Sequence, residues 1–557
     1  MFQKFAILFI SFLALCNLSN AGPAYAFRVT FKDKNGTLTF ADSLQYLSPK
    51  ALMRRAKQNI MLDSSDLPVV KSYIDSVVVK SNAVMLHNVS KWFNQVVVIT
   101  YDSLKGANCS SLPMVESVKL IARYNNGIFK NSQINDSKFD NEVVNSNKTT
   151  GTSAYYGLTF QQVNMLGLDC LHDLGYRGED MDIAVFDVNF RYTDVCSAFD
   201  SLRLQNRIKD VYNFVKDTNY VFSQAINNDH GMNVLGCMAS LIPSVNIGTS
   251  PYGNYYLYNT EDNYSEQPIE EDNWLSAAER ADSIGVYLVN SSLGYNNFDA
   301  PFTNTSSYKY ADLTGSKTLI AKAANKLVSK GIILVQAQGN EGAAAWHYML
   351  TPADADSAFS VGSVDGSGIW ASSGYGPNFS GQIKPDGCAL GKGTSLIGGN
   401  CTVGSSNGSS FASPIMCGAI ACLWQALPTK TNWEIRQLVK MSSSQYLNPN
   451  NTTGYGIPNF CSAYNIALGT SDIKHIEYQF TTFPNPTQGE FKVTCFNNNI
   501  KEFYYSVYDM QGKCVYKDNK KYFNSFTSSA LNNMAKGEYI LLLTTAEKTY
   551  STKIIKN

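Results

Sequence analysis

The chain has 557 residues, of which 44% are hydrophobic and 16% are charged. This length is enough for several folded domains, and the composition excludes a disordered or coiled-coil protein. The 45 Lys and Arg residues balance the 45 Asp and Glu residues, so charge gives no reason to expect nucleic acid or an anionic membrane surface as a partner.

The first residues are typical of a secretory signal peptide. Lys4 precedes a short apolar run that reaches Cys16, and a small residue stands at Ala21. Residues 1–21 are therefore predicted to be a signal peptide that is cleaved after Ala21. A transmembrane anchor would need about 20 apolar residues, more than this run provides. Lipoprotein cleavage before Cys16 is a weaker alternative, because Leu15 is large where a small residue is usual.

Export makes disulfide bonds possible. The chain has 12 cysteines, one of which lies in the signal peptide, so an odd number remains and not all can pair within one chain. Cys388 and Cys401 flank a glycine-rich loop and could pair. Cys495 and Cys514 could pair near the C-terminus. The spacing of Cys and His indicates no zinc site.

Residues 22–124 are predicted to form a small α+β unit, because strand-like apolar runs alternate there with a helical pattern. The predicted strands cover residues 25–31, 77–79, 96–101 and 118–123, and the predicted helix covers residues 49–58. Residues 125–154 are rich in Asn, Ser, Lys and Asp. They cannot bury a core, which predicts an exposed linker.

Residues 155–470 predict an α/β domain, because short apolar runs alternate with helical patterns. The predicted strands cover residues 183–186, 285–289 and 332–336, and the predicted helices cover residues 231–241 and 316–330. This pattern is typical of a mostly parallel sheet with helices on both faces. Residues 476–557 have strand-like runs separated by turns and no convincing helix, which predicts a C-terminal β-sandwich.

A buried helix is predicted to begin at Ser410. Residues 411–424 are all apolar or small, as in a helix that lies in the middle of a domain. Pro414 fits the first turn of such a helix. The free N–H groups and the positive end of the helix dipole would favour negative charge at the Ser410 hydroxyl. A lone serine in this place would more often be the helix N-cap.

Three other polar residues lie at the ends of predicted elements. Asp187 follows the strand over residues 183–186, and Asn340 follows the strand over residues 332–336. The carboxyl ends of parallel strands share one edge of a sheet, where α/β proteins carry their sites. His230 begins a helix between glycines. Taken singly, the Asp and Asn residues read as turn formers, and the His reads as a helix-end residue.

The order Asp, His, Ser is the order of the subtilisin triad, and here the sequence resembles the subtilisin-like serine endopeptidases, or subtilases. Residues 408–414 read Gly-Ser-Ser-Phe-Ala-Ser-Pro, where the family has Gly-Thr-Ser-Met-Ala-Ser-Pro. Residues 339–342 form the Gly-Asn-Glu-Gly turn, and residues 384–386 read Lys-Pro-Asp. The likeness covers residues 155–465. Met232 and Ser409 stand where the family usually has Thr, which puts specificity in doubt more than activity.

The resemblance implies a role for each residue of this set. Ser410 would be the nucleophile, and His230 would take its proton and later protonate the leaving amine. Asp187 would orient the imidazole, and Asn340 would bind the oxyanion together with the Ser410 N–H. The residues expected to bind substrate are Ser291, Ser292, Leu293, Gly294 and Gly339.

The resemblance implies a secreted serine endopeptidase that cleaves proteins or peptides through an acyl-enzyme. A catalytically silent surface adhesin on the same scaffold is the alternative, although adhesion needs none of the four groups. An esterase or transpeptidase could use the same chemistry. No cofactor is required. Calcium is common in the family, and Asp354 and Asp356 are its weak candidates, since no loop has a calcium motif.

The flanking regions also resemble known modules. Residues 27–36 and 47–55 resemble the propeptides of secreted bacterial subtilases, which implies an inhibitory domain that is removed by cleavage; the alternative is a permanent accessory domain. Residues 483–491, 508–513 and 536–539 resemble the C-terminal sorting domain of type IX secretion. That likeness implies contact with the secretion machinery and passage through the outer membrane of a Gram-negative bacterium. A carbohydrate- or protein-binding β-sandwich is the alternative.

Overall fold

The computed structural model describes residues 22–125, residues 154–469 and most of residues 480–557. The predicted signal peptide and nearly all of the predicted linker lie outside the described residues. The chain divides into two compact units, Met1–Leu468 and Gly469–Asn557. None of the helices in the described part of the chain combines the length and the apolar character that crossing a bilayer requires.

The first unit begins with a small α+β domain, here called the prodomain. Its elements are β1 (Ala24–Phe31), α1 (Pro49–Lys57), α2 (Lys71–Ser81), β2 (Met85–Ser90), β3 (Gln95–Thr100), α3 (Ser103–Ala107) and β4 (Val115–Tyr124). The four strands form an antiparallel sheet in the order β2-β3-β1-β4. Helix α1 was predicted correctly, and Ser48 caps its first turn by accepting a hydrogen bond from the Ala51 N–H.

One predicted strand of the prodomain is wrong. Residues 77–79, three consecutive valines, lie inside helix α2. Val77 is fully buried in the prodomain core, whereas Val79 is 80% exposed. β-branched residues favour strands, but here a buried face at helical spacing outweighs that preference. Asn82, in the left-handed region, ends the helix.

The larger α/β domain follows. Its strands are β5 (Asp182–Asp187), β6 (Ile208–Asn213), β7 (Leu241–Ile242), β8 (Asn246–Ile247), β9 (Asn254–Asn259), β10 (Leu288–Ser291), β11 (Ile333–Ala337), β12 (Phe359–Val364), β13 (Gly387–Leu390), β14 (Lys392–Ile397) and β15 (Val403–Asn407). Its helices are α4 (Phe160–Asn164), α5 (Asp169–Asp173), α6 (Asp200–Leu204), α7 (His230–Ala239), α8 (Ile269–Ile284), α9 (Thr303–Ser306), α10 (Leu319–Ser329), α11 (Ser409–Ala426), α12 (Asn432–Met441) and α13 (Phe460–Leu468).

Seven of these strands form one parallel sheet in the order β13-β12-β11-β10-β5-β9-β6. Side chains alternate across it. Ile183 and Val185 join the core beneath α7 and α11, whereas Ala184 and Phe186 join the core beneath α8 and α10. The predicted α/β class, a mostly parallel sheet flanked by helices, is therefore confirmed.

The register of the sheet brings three strand ends to one edge. Phe186 of β5 pairs with Ser291 of β10, and Ser291 pairs with Gln336 of β11. The residues that follow these pairs therefore emerge side by side at the carboxyl edge. Helix α11 runs beneath this edge, and fifteen of its residues are buried.

Pro414 lies at the sixth position of α11, not in its first turn as predicted. A proline there cannot donate to the carbonyl of Ser410, four residues earlier. The Ser292 hydroxyl donates to that carbonyl instead, at 2.8 Å. The Ser410 carbonyl, which lacks its helical hydrogen bond, therefore connects α11 to the end of β10.

The second unit is a sandwich of two antiparallel sheets. Its strands are β16 (Phe480–Phe483), β17 (Phe491–Cys495), β18 (Tyr504–Asp509), β19 (Cys514–Lys517), β20 (Ser525–Ser528), β21 (Gly537–Thr544) and β22 (Thr549–Lys556). The sheet orders are β16-β17-β20 and β19-β18-β21-β22. Val493 and Phe526 of the first sheet share one core with Leu541 and Ile554 of the second, as expected of the predicted sandwich.

The predicted disulfide pairs are wrong. Cys388, Cys401 and Cys514 are free thiols. Cys388 is buried in β13, where its thiol lies 3.3 Å from the carbonyl oxygen of Thr453. Among the described cysteines the disulfide is Cys170–Cys461, which joins α5 to α13. Its partners are 291 residues apart in the chain, so local spacing could not reveal them.

Candidate active site

A buried carboxylate and imidazole form the centre of the candidate site. Asp187 is the last residue of β5 and His230 is the first residue of α7. His230 Nδ1 lies 2.6 Å from Asp187 Oδ1. The Asn228 side chain accepts the His230 backbone N–H at 2.8 Å, which fixes the start of the helix. An ionised Asp187 accepts the Nδ1 proton, so the pair selects the imidazole tautomer that accepts protons at Nε2.

Burial raises the pKa of Asp187, and the neighbouring imidazole of His230 opposes that rise. The Val188 N–H also donates to the carboxylate, at 2.8 Å. Gly231 permits the close approach of α7 to β5, because a Cβ there would lie 2.5 Å from the Asn189 carbonyl oxygen. Steric crowding therefore explains why a glycine, Gly231, follows His230.

Ser410 lies at the second position of α11, and Gly408, at a φ of 146°, precedes the helix as its N-cap residue. Ser410 is thus not the N-cap. Its hydroxyl donates to the Ser292 carbonyl oxygen at 3.4 Å. The ring of Phe411, the next residue, lies 5.9 Å from the His230 ring. The hydroxyl, imidazole and carboxylate therefore lie at the same edge of the sheet.

The Asn340 side chain is held in one orientation by Ser409. Asn340 Oδ1 accepts the Ser409 N–H at 2.8 Å and lies 3.0 Å from the Ser409 hydroxyl. The amide nitrogen is therefore left as the outward donor. The nearest atoms to the point where a Cβ on Gly408 would stand are Asn340 Nδ2 at 3.4 Å, Asn340 Oδ1 at 3.6 Å and the Ser410 backbone nitrogen at 3.7 Å. The Asn340 amide and the Ser410 N–H therefore lie close together beside Gly408.

The structure divides the expected substrate-binding residues into two groups. Ser291 and Leu293 are buried, and the Ser291 hydroxyl accepts the indole N–H of Trp274 at 3.0 Å. Their side chains therefore support the core, not a binding surface. Ser292 contacts Ser410, as described above. Gly294 and Gly339 are partly exposed, and Gly339 donates its N–H to the Ser409 hydroxyl at 3.1 Å.

A polar network beneath the site was missed by sequence reasoning. The Ser413 hydroxyl donates to Asn290 Oδ1 at 2.8 Å, and Asn290 Nδ2 donates to the Ser292 hydroxyl at 3.1 Å. All three side chains are buried or nearly so. Ser413 belongs to the 408–414 motif, and this motif is the sequence signal that could have pointed to the network. The network fixes the end of β10 against the N-terminal part of α11.

One of the two weak calcium candidates, Asp354, has a structural partner. Asp354 accepts the Gly315 N–H at 2.9 Å, and burial raises its pKa. Three acidic side chains elsewhere have carboxylate oxygens within 4.8 Å of one another: Glu261, Glu266 and Glu270. Two of these carboxylates already accept protein donors, since Tyr295 donates to Glu261 at 2.6 Å and the Asp262 N–H donates to Glu270 at 2.8 Å.

Comparison with known proteins identifies the family. A model described as "Subtilase family" matches residues 134–456, more than half of the chain. The chain belongs to the subtilase family. A model of the peptidase S8 propeptide domain of Bacteroidota matches residues 26–138 of this subtilase, and a model of the secretion system C-terminal sorting domain matches residues 481–557.

Its relatives include subtilisins. Subtilisin amylosacchariticus from Bacillus subtilis subsp. amylosacchariticus is 28% identical over 54% of this chain and 70% of its own length. Subtilisin from Bacillus pumilus is 27% identical over 54% of this chain and 97% of its own length. The solved structure of the prenylagaramide maturation protease PagA covers 54% of this chain and 97% of that chain, with 19% identity and a TM-score of 0.42.

These matches establish the class of protein. The subtilase is a serine-type endopeptidase with a propeptide. Its sorting domain identifies it as a secreted or cell-surface protein that passes the outer membrane.

Proposed function

We propose that this subtilase hydrolyses peptide bonds with Asp187, His230 and Ser410 as its triad. The observation that carries the proposal is the buried 2.6 Å pair of His230 and Asp187 at the sheet edge where Ser410 lies in the first turn of α11. In this mechanism His230 Nε2 takes the proton of the Ser410 hydroxyl as the oxygen attacks the scissile carbonyl. Asp187 stabilises the imidazolium that forms.

The tetrahedral intermediate carries its negative charge on the former carbonyl oxygen. Asn340 Nδ2 and the Ser410 N–H donate to that oxyanion, in the space beside Gly408. The imidazolium then protonates the leaving amine, and an acyl-enzyme remains on Ser410. Water, deprotonated by His230, attacks the ester through a second oxyanion, and the acid product leaves with the Ser410 hydroxyl restored.

The prodomain acts as the inhibitor in this proposal. Strand β4 ends beside the catalytic domain: the Arg123 N–H donates to Gln267 Oε1 at 2.8 Å, and Ile121 packs with Ile269. The chain leaving β4 therefore starts next to the candidate active-site domain. Cleavage in residues 125–154 would release the prodomain.

The domain scheme that accompanies this proposal is a signal peptide over residues 1–21, a propeptide over 22–124, a linker over 125–154, a peptidase domain over 155–470 and a sorting domain over 476–557. The partners would be protein or peptide substrates, the chain's own propeptide and the secretion machinery. N-terminal sequencing of secreted material tests the two cleavage points.

Reaction of the processed protein with a fluorophosphonate, together with casein cleavage, tests the triad. We expect the label on Ser410 and loss of both signals in Ser410→Ala. Ser380→Ala, an exposed serine of the same domain, is the matched control and should keep both. Processed wild type that neither labels nor cleaves casein would favour the silent adhesin, and labelling without cleavage of any peptide would favour an esterase.

A further inference from the structure

Two cysteine thiols from distant segments meet in the catalytic domain. The side chains of Cys196 and Cys401 lie within hydrogen-bond reach of each other. Cys196 is fully buried in the core, whereas Cys401 packs against that core and is partly exposed. The sorting domain shows that the protein is exported, and exported proteins meet oxidising conditions in which paired thiols form disulfides.

The first thiol is held in place by its backbone. Cys196 belongs to the segment that follows β5, the strand that ends at Asp187. Its N–H donates to the Tyr192 carbonyl oxygen at 2.8 Å. The Arg203 guanidinium donates to the Cys196 carbonyl oxygen at 2.6 Å. Hydrogen bonds to both backbone groups therefore fix the position of the buried thiol.

The second thiol lies in the turn of the hairpin formed by β14 and β15. The Gly398 N–H donates to the Thr402 carbonyl oxygen at 2.7 Å and closes this turn. Inside the turn, Asn400 and Cys401 both have left-handed backbone conformations, with φ of 59° and 63°. Two such residues in a row cost backbone energy, so the turn depends on the contacts that its side chains make.

The hairpin lies between elements that carry the proposed triad. Gly399 approaches the Asp229 carboxylate so closely that a Cβ on this glycine would overlap it, and Asp229 immediately precedes His230. Strand β15 ends at Asn407, just before the helix that carries Ser410. A covalent bond from Cys401 to the segment after β5 would therefore restrain the hairpin against these elements.

We propose that Cys196 and Cys401 form a disulfide bond in the exported protein and that this bond anchors the β14–β15 hairpin. The inference does not require the triad to be active. A reagent disulfide supplies the oxidising equivalents: the catalytic disulfide of an exported thiol–disulfide oxidoreductase in the cell, or oxidised glutathione in the test below.

The exposure of the two thiols sets the order of the reaction. Cys401, which solvent reaches, attacks the reagent disulfide as a thiolate, so a mixed disulfide forms and one reagent thiol leaves. Burial raises the pKa of the Cys196 thiol to about 12, and the neighbouring Cys401 adds to the rise, so Cys196 reacts second. Its thiolate attacks the Cys401 sulfur and displaces the other reagent thiol. The two cysteines lose two protons and two electrons, and the reagent disulfide becomes two thiols.

Peptide mapping of the Ser410→Ala chain tests the bond without interference from autolysis. The protein is incubated with oxidised glutathione, alkylated in denaturant with N-ethylmaleimide and digested without reductant. Trypsin together with chymotrypsin separates Cys401 from Cys417, because a chymotryptic site lies at Phe411. We expect a cross-linked pair of peptides that contains Cys196 and Cys401 and disappears on reduction. Alkylation of both cysteines, or glutathione on Cys401 beside an alkylated Cys196, would overturn the proposal.

Thermal unfolding and hydrogen exchange test the anchoring. Cys401→Ser in the same background removes the bond at a partly exposed site and leaves no cavity in the core. After oxidation we expect its Tm to lie below that of its parent by about 3 °C or more, because the bond closes a loop of about 200 residues. Amide exchange at residues 398–407 should also be faster. In excess reductant, which opens Cys170–Cys461 in both chains alike, the two differences should vanish.

Cys514→Ser, which removes an exposed thiol of the sorting domain, is the control and should match the parent under both conditions. A difference in Tm that persists in reductant would trace the effect to the serine itself and contradict the anchoring. A cross-link without a change in Tm or in exchange would contradict it as well. None of these measurements uses catalytic activity, so their outcome is independent of the proposed function.

Discussion

Ser409 orients the Asn340 side chain. Its hydroxyl lies 3.0 Å from Asn340 Oδ1 and 2.9 Å from the Gly339 carbonyl oxygen, and it accepts the Gly339 N–H. These contacts join the turn after β11 to the first turn of α11. In the proposed mechanism they also prevent the Asn340 amide from rotating its oxygen toward Ser410, where a developing negative charge would be repelled.

Removal of the Ser409 hydroxyl should therefore reduce turnover. We expect Ser409→Ala to lower kcat about tenfold with little change in KM, because the oxyanion exists only in the reaction and the Ser409 N–H still holds Asn340 in part. Steady-state kinetics on a peptide anilide measure both constants. Ser409→Thr keeps the hydroxyl and should retain most of the activity. A raised KM at constant kcat would mean that Ser409 acts on substrate binding instead.

At the level of elements, the sequence was most informative where the pattern is local. Helix α1, strand β5 and the start of α11 were predicted within one or two residues, because each combines a continuous apolar pattern with a clear first residue. The strand predicted at the valines 77–79 was wrong, because residue type alone cannot distinguish a short apolar strand from the buried face of a helix.

Contacts between distant segments lay beyond sequence reasoning. Leu350 follows β11 by thirteen residues, and nothing in its neighbourhood predicts that it returns to Gly294 and Gly339. The disulfide partners Cys170 and Cys461 are likewise visible only after α5 and α13 have packed together. Such contacts depend on how distant segments pack in the folded domain and not on any local pattern.

The Cys170–Cys461 disulfide should stabilise the catalytic domain. A crosslink that closes a loop of 291 residues restricts the unfolded chain strongly, and such bonds are commonly worth about 2–4 kcal/mol. Cys170→Ala together with Cys461→Ala should lower Tm by several degrees, measured by calorimetry on the Ser410→Ala chain. Cys514→Ala, which removes an exposed free thiol, is the control. An unchanged Tm in the double variant would contradict a stabilising role.

At the scale of the whole first unit, the prodomain meets the catalytic domain through buried charge. Arg54 and Arg55 of α1 both bind Asp282 of α8, at 2.5 and 2.6 Å. Arg55 also binds Asp66, which in turn binds Lys330 at 3.0 Å. Burial would destabilise each of these charges alone, so they hold the two domains together only as a complete set.

Breaking this set should weaken prodomain docking. Asp282→Asn leaves the buried Arg54 without a carboxylate partner and the buried Arg55 with Asp66 alone, and the loss of a buried partner typically costs about 3–5 kcal/mol. We expect a markedly lower Tm for the full-length Ser410→Ala chain carrying this change. Asp75→Asn, which breaks an exposed prodomain pair with Lys71, should change Tm little. Equal effects of the two variants would show that the buried cluster carries no special stability.

Glu271 makes the same interface sensitive to pH. Burial raises the pKa of this α8 carboxyl from 4.5 to about 7. Arg28 and Lys119 of the prodomain oppose the rise, and so does the Tyr308 hydroxyl, which donates to the carboxyl at 2.6 Å. The neighbouring Asp272 adds to the rise. Between pH 4.5 and 7 the unfolded chain has lost this proton while the folded chain keeps it. Stability therefore falls as the pH rises through this window, and the penalty is constant above it.

Glu271→Gln mimics the protonated carboxyl and can still accept the Tyr308 hydrogen bond, so it should remove this penalty. In the Ser410→Ala background we expect the variant to match its parent near pH 5 and to exceed it in stability by up to about 3 kcal/mol at pH 8. Thermal unfolding at half-unit pH steps measures the difference. A constant difference across the range would show that Glu271 does not titrate there, because only a carboxyl that changes protonation makes the gap widen with pH.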